Sequence, residues 1–130
     1  MGVAQVEGRA RVVLVVDDDA DIRDMIAQAL ELEGWRVVGA ANGDEALRAA
    51  RQGPRPDIIL LDLWMPVMNG WEFMEAQHHD AALAAIPVVL ISGDERLQEK
   101  AALARVAGFL KKPMDLIELL DAVGRHGATA

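Results

Sequence analysis

The chain has 130 residues, no cysteine, 21 acidic against 13 basic residues and a formal net charge of −8. That length suits one domain with one continuous core, and the absence of thiols excludes a disulfide framework or a thiolate zinc site. The acidic balance, with no Lys/Arg cluster, argues against direct nucleic-acid binding, and no apolar run approaches the roughly eighteen residues of a membrane-spanning helix. Residues 1–10 have neither the basic start nor the apolar centre of a signal peptide, so the sequence reads as cytoplasmic. Small, polar and aperiodic, they read as a disordered N-terminal tail.

Arg11 to Val16 is Val-rich and predicts a first strand, closed by Asp17, Asp18 and Asp19. Ile22, Met25, Ile26, Ala29 and Leu30 recur at helical spacing, with Asp19 as the cap and Gly34 as the stop. Trp35 to Ala40 predicts a second strand. Asn42 caps a helix over Gly43 to Arg51, and Glu45 completes a capping box. Residues 52–56 form a loop. Ile58 to Leu61 are four consecutive branched apolar residues, which suit a strand buried on both faces, and Asp62 stands at its carboxyl end. Pro66 and Asn69-Gly70 make the following segment a loop, and Asn69 caps a helix from about Gly70 to His79 carrying Trp71, Phe73 and Met74.

Pro87 to Ile91 predicts a fourth strand, closed by Ser92-Gly93-Asp94. Glu95 to Val106 reads as a helix whose apolar face is mostly Ala, with Leu97 and Leu103, so it should be the least firmly held helix. Phe109 to Lys111 is a short fifth strand. Leu116, Leu119, Leu120 and Val123 mark a last helix ended by Gly124, which gives a domain over residues 11–124 and a short tail at 125–130. Adjacent helical residues do not share a face, so His78 and His79 read as the polar end of the third helix, and His126 as a solvated tail residue. Five strands alternating with five helices predict an α/β fold, doubly wound around a parallel sheet. The pattern alone leaves the strand order open.

An isolated Asp after a strand usually caps a turn. Here Asp62 is accompanied by Asp17-Asp18-Asp19 closing one strand, Ser92 closing another and Lys112-Pro113 following a third. Asp62 to Gly70 reads Asp-x-x-Met-Pro-x-Met-x-Gly. This set resembles the receiver domains of two-component response regulators, in particular stand-alone, chemotaxis-regulator-like receivers, over roughly Arg11 to Val123. The resemblance implies the flavodoxin-like strand order 2-1-3-4-5, with Asp62 as phosphoacceptor. It also implies a Mg²⁺ site formed by Asp18, Asp62 and the backbone carbonyl of Trp64, with Asp17 acting through water. Oxygen-only donors are consistent with that metal. Ser92 and Lys112 would bind the phosphoryl oxygens, Ser92 and Phe109 would form the switch, and Lys112-Pro113 is a candidate cis peptide.

The implied donor is a histidine kinase or histidine phosphotransfer protein, and the implied output is a downstream protein target or a phosphorylation-dependent homodimer. On this reading the chain is a signalling switch that catalyses only its own phosphoryl transfer and dephosphorylation. Three features depart from the commonest receiver pattern: Ser92 stands where Thr is frequent, Trp64 is bulky, and the stretch from Ser92 to Lys112 is a residue or two short. Two other readings compete. Asp17-x-Asp19 also fits a haloacid-dehalogenase-type phosphatase with Asp17 as nucleophile, and the fold could serve as a phosphorylation-independent interaction module.

Overall fold

The computed structural model describes residues 11–127. The tail expected at residues 1–10 and the last three residues of the one expected at 125–130 lie outside them. Among the described residues the chain alternates β1 (Val12–Val16), α1 (Ala20–Leu32), β2 (Arg36–Ala40), α2 (Gly43–Gln52), β3 (Ile58–Asp62), α3 (Gly70–His78), β4 (Val88–Ser92), α4 (Leu97–Ala104), β5 (Gly108–Lys111) and α5 (Leu116–His126). The strands form one parallel sheet in the order β2-β1-β3-β4-β5, the flavodoxin-like order.

Every side chain of β1, β3 and β4 is buried, because helices cover both faces of the sheet's centre. Successive strand residues point to opposite faces. Leu14, Val16, Ile59, Leu61 and Leu90 therefore pack with α2, α3 and α4, where Leu47, Phe73 and Leu97 are the large buried residues. Val13, Val15, Ile58, Leu60 and Val89 meet Ile26 and Leu30 of α1 and Leu119 and Val123 of α5 on the other face. β2 and β5 are the edges and bury less.

Local chemistry sets the helix ends. The Asp19 side chain accepts from the amides of Asp21 and Ile22, and Asn69 with Glu72 closes a full capping box at α3. At α2 the Asn42 half of the expected box is present, but Glu45 accepts from the Ala41 amide instead of that of Asn42. α4 has no side-chain cap, and Arg105 in the left-handed region (φ 57°) ends it after eight residues, short of the expected span of 95–106.

Several apolar positions face solvent despite their helical spacing. Met25 is 45% exposed, Leu116 39% and Leu103 82%, so α4 buries only Leu97 and Ala101. Gly124 does not end α5, which runs on to His126 and is capped by Gly127. His126 is accordingly a half-buried helix residue, with its ring close enough to Gly108 of β5 that a Cβ there would lie 3.0 Å from Nε2. The segment after α3 carried no sequence signal. Buried Gln77 pins it, its Nε2 donating to the carbonyls of Leu83 and Ile86 at 3.0 Å each, while Leu83 and Ile86 enter the core.

Candidate functional site

Because β1 and β3 are neighbours, with Val16 level with Leu61, their ends deliver Asp17 and Asp62 to the same edge of the sheet. An open α/β sheet binds its ligands outside the carboxyl ends of its strands, where the strand order reverses. Asp17 and Asp62 are buried, Asp18 is exposed, and one carboxylate oxygen from each lies within 4.8 Å of the others. From the β5–α5 connection, Lys112 sends its Nζ to Asp17 Oδ2 at 2.9 Å and to Asp62 Oδ2 at 3.3 Å. The Lys112-Pro113 peptide is cis.

Charge in this cup is unbalanced. Burial raises the Asp62 carboxyl above its usual range; the Lys112 ammonium opposes that rise and the neighbouring Asp17 charge adds to it. For Lys112, burial works against the charged form, but the hydrogen bond it donates to Asp17 and the charges of Asp62 and Asp17 outweigh it and hold the ammonium above its usual pKa. Asp17 and Asp62 share this ammonium, and with Asp18 beside them the group carries a residual charge of about −2 when all are ionised. A hard divalent cation with oxygen ligands fits that deficit.

Backbone contacts fix the walls. The Trp64 amide donates to Asp62 Oδ1 at 3.3 Å and the Asp19 amide to Asp17 Oδ1 at 2.9 Å. Gly70, at the start of α3, donates to the Leu63 carbonyl at 2.9 Å, and a Cβ there would stand 2.6 Å from the Asp62 carbonyl oxygen. Between them, Met68 donates to the carbonyl of Pro66 at 2.7 Å across Val67, whose φ is 68°. This tight three-residue turn forces a β-branched residue into the left-handed region.

The structure brings together Asp17, Asp18, Asp62 and Lys112. Ser92 is buried at the end of β4, level with Lys111, and its hydroxyl accepts from the Asp94 amide at 3.1 Å. Phe109 on β5 points outward, 43% exposed, and Trp64 is 51% exposed. Two participants escaped the sequence reading. Arg23 reaches back from α1 to the Asp17 carbonyl at 2.7 Å, a contact that Asp17-x5-Arg23 spacing alone does not announce. Lys100 on α4 pairs with Asp94 and lies 5.0 Å from the centroid of the Trp64 ring.

The sequence model of the response regulator receiver domain matches residues 13–124. The chain belongs to that family. As a receiver it is a signalling module rather than an ordinary enzyme, of a kind that interacts with histidine kinases. It is 38% identical over 124 residues to the transcriptional regulatory protein PrrA of Mycobacterium tuberculosis, covering 91% of this chain and 52% of PrrA. It is 32% identical over 113 residues to the protein PilH of Pseudomonas aeruginosa, covering 85% of this chain and 93% of PilH. Among solved structures, the chemotaxis protein CheY4 of Vibrio cholerae superimposes with a TM-score of 0.83 at 32% identity, covering 91% of this chain and 99% of CheY4. The receiver spans about half the length of the first curated relatives it matches. With the family shown, the dehalogenase-type reading of Asp17 loses its footing. Among the described residues no helix is long and apolar enough to cross a membrane.

Proposed function

We propose that this receiver accepts a phosphoryl group on Asp62 from a phospho-histidine donor and in response remodels the surface formed by α4, β5 and α5. The observation that carries the reading is the Lys112 ammonium shared between Asp17 and Asp62 at the buried end of two adjacent strands. Asp18, Asp62 and the Trp64 backbone carbonyl would hold Mg²⁺, with Asp17 acting through water; when bound, the ion offsets the repulsion between a carboxylate and an incoming phosphoryl group. An Asp62 oxygen attacks phosphorus in line and the phosphorus–nitrogen bond breaks. Its electron pair returns to the donor imidazole, leaving an acyl phosphate. Lys112 can then transfer its contact from Asp62 to a phosphoryl oxygen, and the Ser92 hydroxyl can leave the Asp94 amide to donate to another.

Movement of Ser92 draws on the β4–α4 connection and frees space toward which the Phe109 ring can turn. Phe109 has no hydroxyl, so its rotation rests on packing alone. The responding surface exposes Leu103, Phe109, Leu116 and Ile117, apolar side chains suited to a downstream protein target or a second phosphorylated copy. The Trp64 ring, two residues from Asp62, is placed to restrict water at the acyl phosphate.

Labelled phosphoramidate, a phosphorus–nitrogen donor, tests the acceptor directly in the presence of Mg²⁺. The expected result is one acid-stable, base-labile label per chain, abolished in Asp62→Asn and by chelation but retained at reduced rate in Asp17→Asn. A chain that takes no label would leave the phosphorylation-independent interaction module as the better account, and a label that survives Asp62→Asn would move the acceptor to another residue, Asp17 first.

A further inference from the structure

Lys100 lies outside the pocket yet ties its two rims together. Its ammonium pairs with Asp94 in a half-buried contact, the two side chains being 26% and 18% exposed. The same ammonium lies 5.0 Å from the Trp64 ring centroid, within the range of a cation–π attraction. Trp64 and Asp94 stand on different loops, two residues beyond Asp62 and Ser92 respectively. Each loop also touches the pocket by its backbone: the Trp64 amide donates to Asp62, and the Asp94 amide to the Ser92 hydroxyl. α4 itself has little else to fix it, with no side-chain cap and only Leu97 and Ala101 buried.

We infer that Lys100 is a positioning residue for the phosphoryl site: it holds the Trp64 ring and Asp94 against each other across the pocket's mouth, and so sets how readily water reaches a phosphoryl group on Asp62. The inference rests on the acceptor reading of Asp62 given above. The geometry carries two further requirements. Lys100 neutralises Asp94, whose carboxylate would otherwise confront an incoming phosphoryl dianion. It also links the lifetime of the acyl phosphate to the position of α4, because the cation is carried on that helix. A guanidinium can replace both contacts, since Arg pairs with carboxylates and stacks on aromatic faces, whereas a Met side chain keeps the bulk and loses the charge.

The experiment measures dephosphorylation of the full chain after loading with phosphoramidate and Mg²⁺, in wild type, Lys100→Met, Lys100→Arg, Trp64→Leu and the Trp64→Leu/Lys100→Met double variant. Dephosphorylation should be at least threefold faster in Lys100→Met and within twofold of wild type in Lys100→Arg. The double variant should be no faster than Trp64→Leu alone, because Lys100 acts through the ring. Equal rates in wild type and Lys100→Met overturn the inference, as does a Met effect of full size in the Trp64→Leu background. Tryptophan emission of the unphosphorylated chains, with the Trp64→Leu spectrum subtracted, separates this failure from that of the acceptor reading. If no chain takes label, the acceptor reading falls. The inferred clamp then stands only if Lys100→Met shifts the Trp64 emission and Lys100→Arg restores it, and falls if the emission is unchanged.

Discussion

β3 delivers Asp62 on five consecutive buried residues, whereas α4, packed on the same sheet, buries only Leu97 and Ala101 and turns Leu103 to solvent. The first is held by side chains on both faces of the sheet and cannot shift without opening the core. The second is held by two apolar contacts and a few polar ones around its N-terminus. A switch needs both kinds of region: a chemical centre whose geometry does not drift, and a neighbouring element whose alternatives lie within a few kcal/mol. The two regions also carry carboxyls displaced in opposite directions. Burial raises Asp62, while Asp94 is lowered by the Lys100 hydrogen bond first, then by the Arg96 amide, with the Trp64 indole adding a smaller contribution.

The contrast is sharpest in truncation. Leu60→Ala in β3 should destabilise by about 2–5 kcal/mol, and Leu103→Ala in α4 by less than about 0.5 kcal/mol, as read by urea denaturation. Comparable losses would show that α4 is packed as firmly as the sheet. Next in size, Mg²⁺ at a hundredfold its Kd should stabilise the chain by about 2.7 kcal/mol, which for a domain of this length is roughly 10 °C in Tm. Chelation should reverse the gain and Asp18→Asn should remove most of it. In hydrogen exchange the protection should concentrate in the ends of β1 and β3 rather than in α4.

Acidification probes the opposed carboxyls. For Asp62 the folded pKa lies above 3.8, so its ionised form opposes folding, and the penalty is absent below 3.8 and complete above the raised value. Asp62→Asn should therefore raise Tm in metal-free buffer at pH 7 and lose that advantage toward pH 3.8. Asp94 behaves inversely: its contribution is present above 3.8 and disappears as pH falls through its lowered pKa. Asp94→Asn should thus lower Tm at pH 7 and converge with wild type in strong acid, and parallel pH profiles for the two variants would erase the distinction. A small effect of opposite sign is expected in the loop that follows β3. Val67→Gly relieves a left-handed β-branched residue at the price of backbone entropy, for a net gain of about 0.5–1 kcal/mol in chemical denaturation.

The sheet's centre was legible in the sequence because runs such as Val12–Val16 and Ile58–Leu61 are apolar without interruption, a pattern that only burial on both faces explains. The cup of Asp17, Asp18, Asp62 and Lys112 was legible because each residue stands at a strand's carboxyl end or within two positions of it, while the strand order that assembles them came from the receiver resemblance and not from the pattern. α4 was the hardest element to read. Its Ala-rich stretch has no stop signal, and the end falls at Arg105, an ordinary residue in a left-handed conformation that no residue preference marks. Leu103 and Met25 follow helical spacing yet lie beyond the edge of what their helices cover. Lys100 was invisible for a related reason: its partners Asp94 and Trp64 lie 6 and 36 positions away, and only the folded loops bring them within reach.

Gly70 adds an entry to any map of mutational tolerance. It has no side chain with which to react, yet even a methyl group there would press on the carbonyl that ends Asp62 and on the Leu63 Cα. A saturation screen for signalling should score this position as harshly as Asp62, the proposed acceptor. The resulting variants would be inert because the acceptor's main chain had been pushed aside, and exogenous phosphodonor at any concentration should leave them silent.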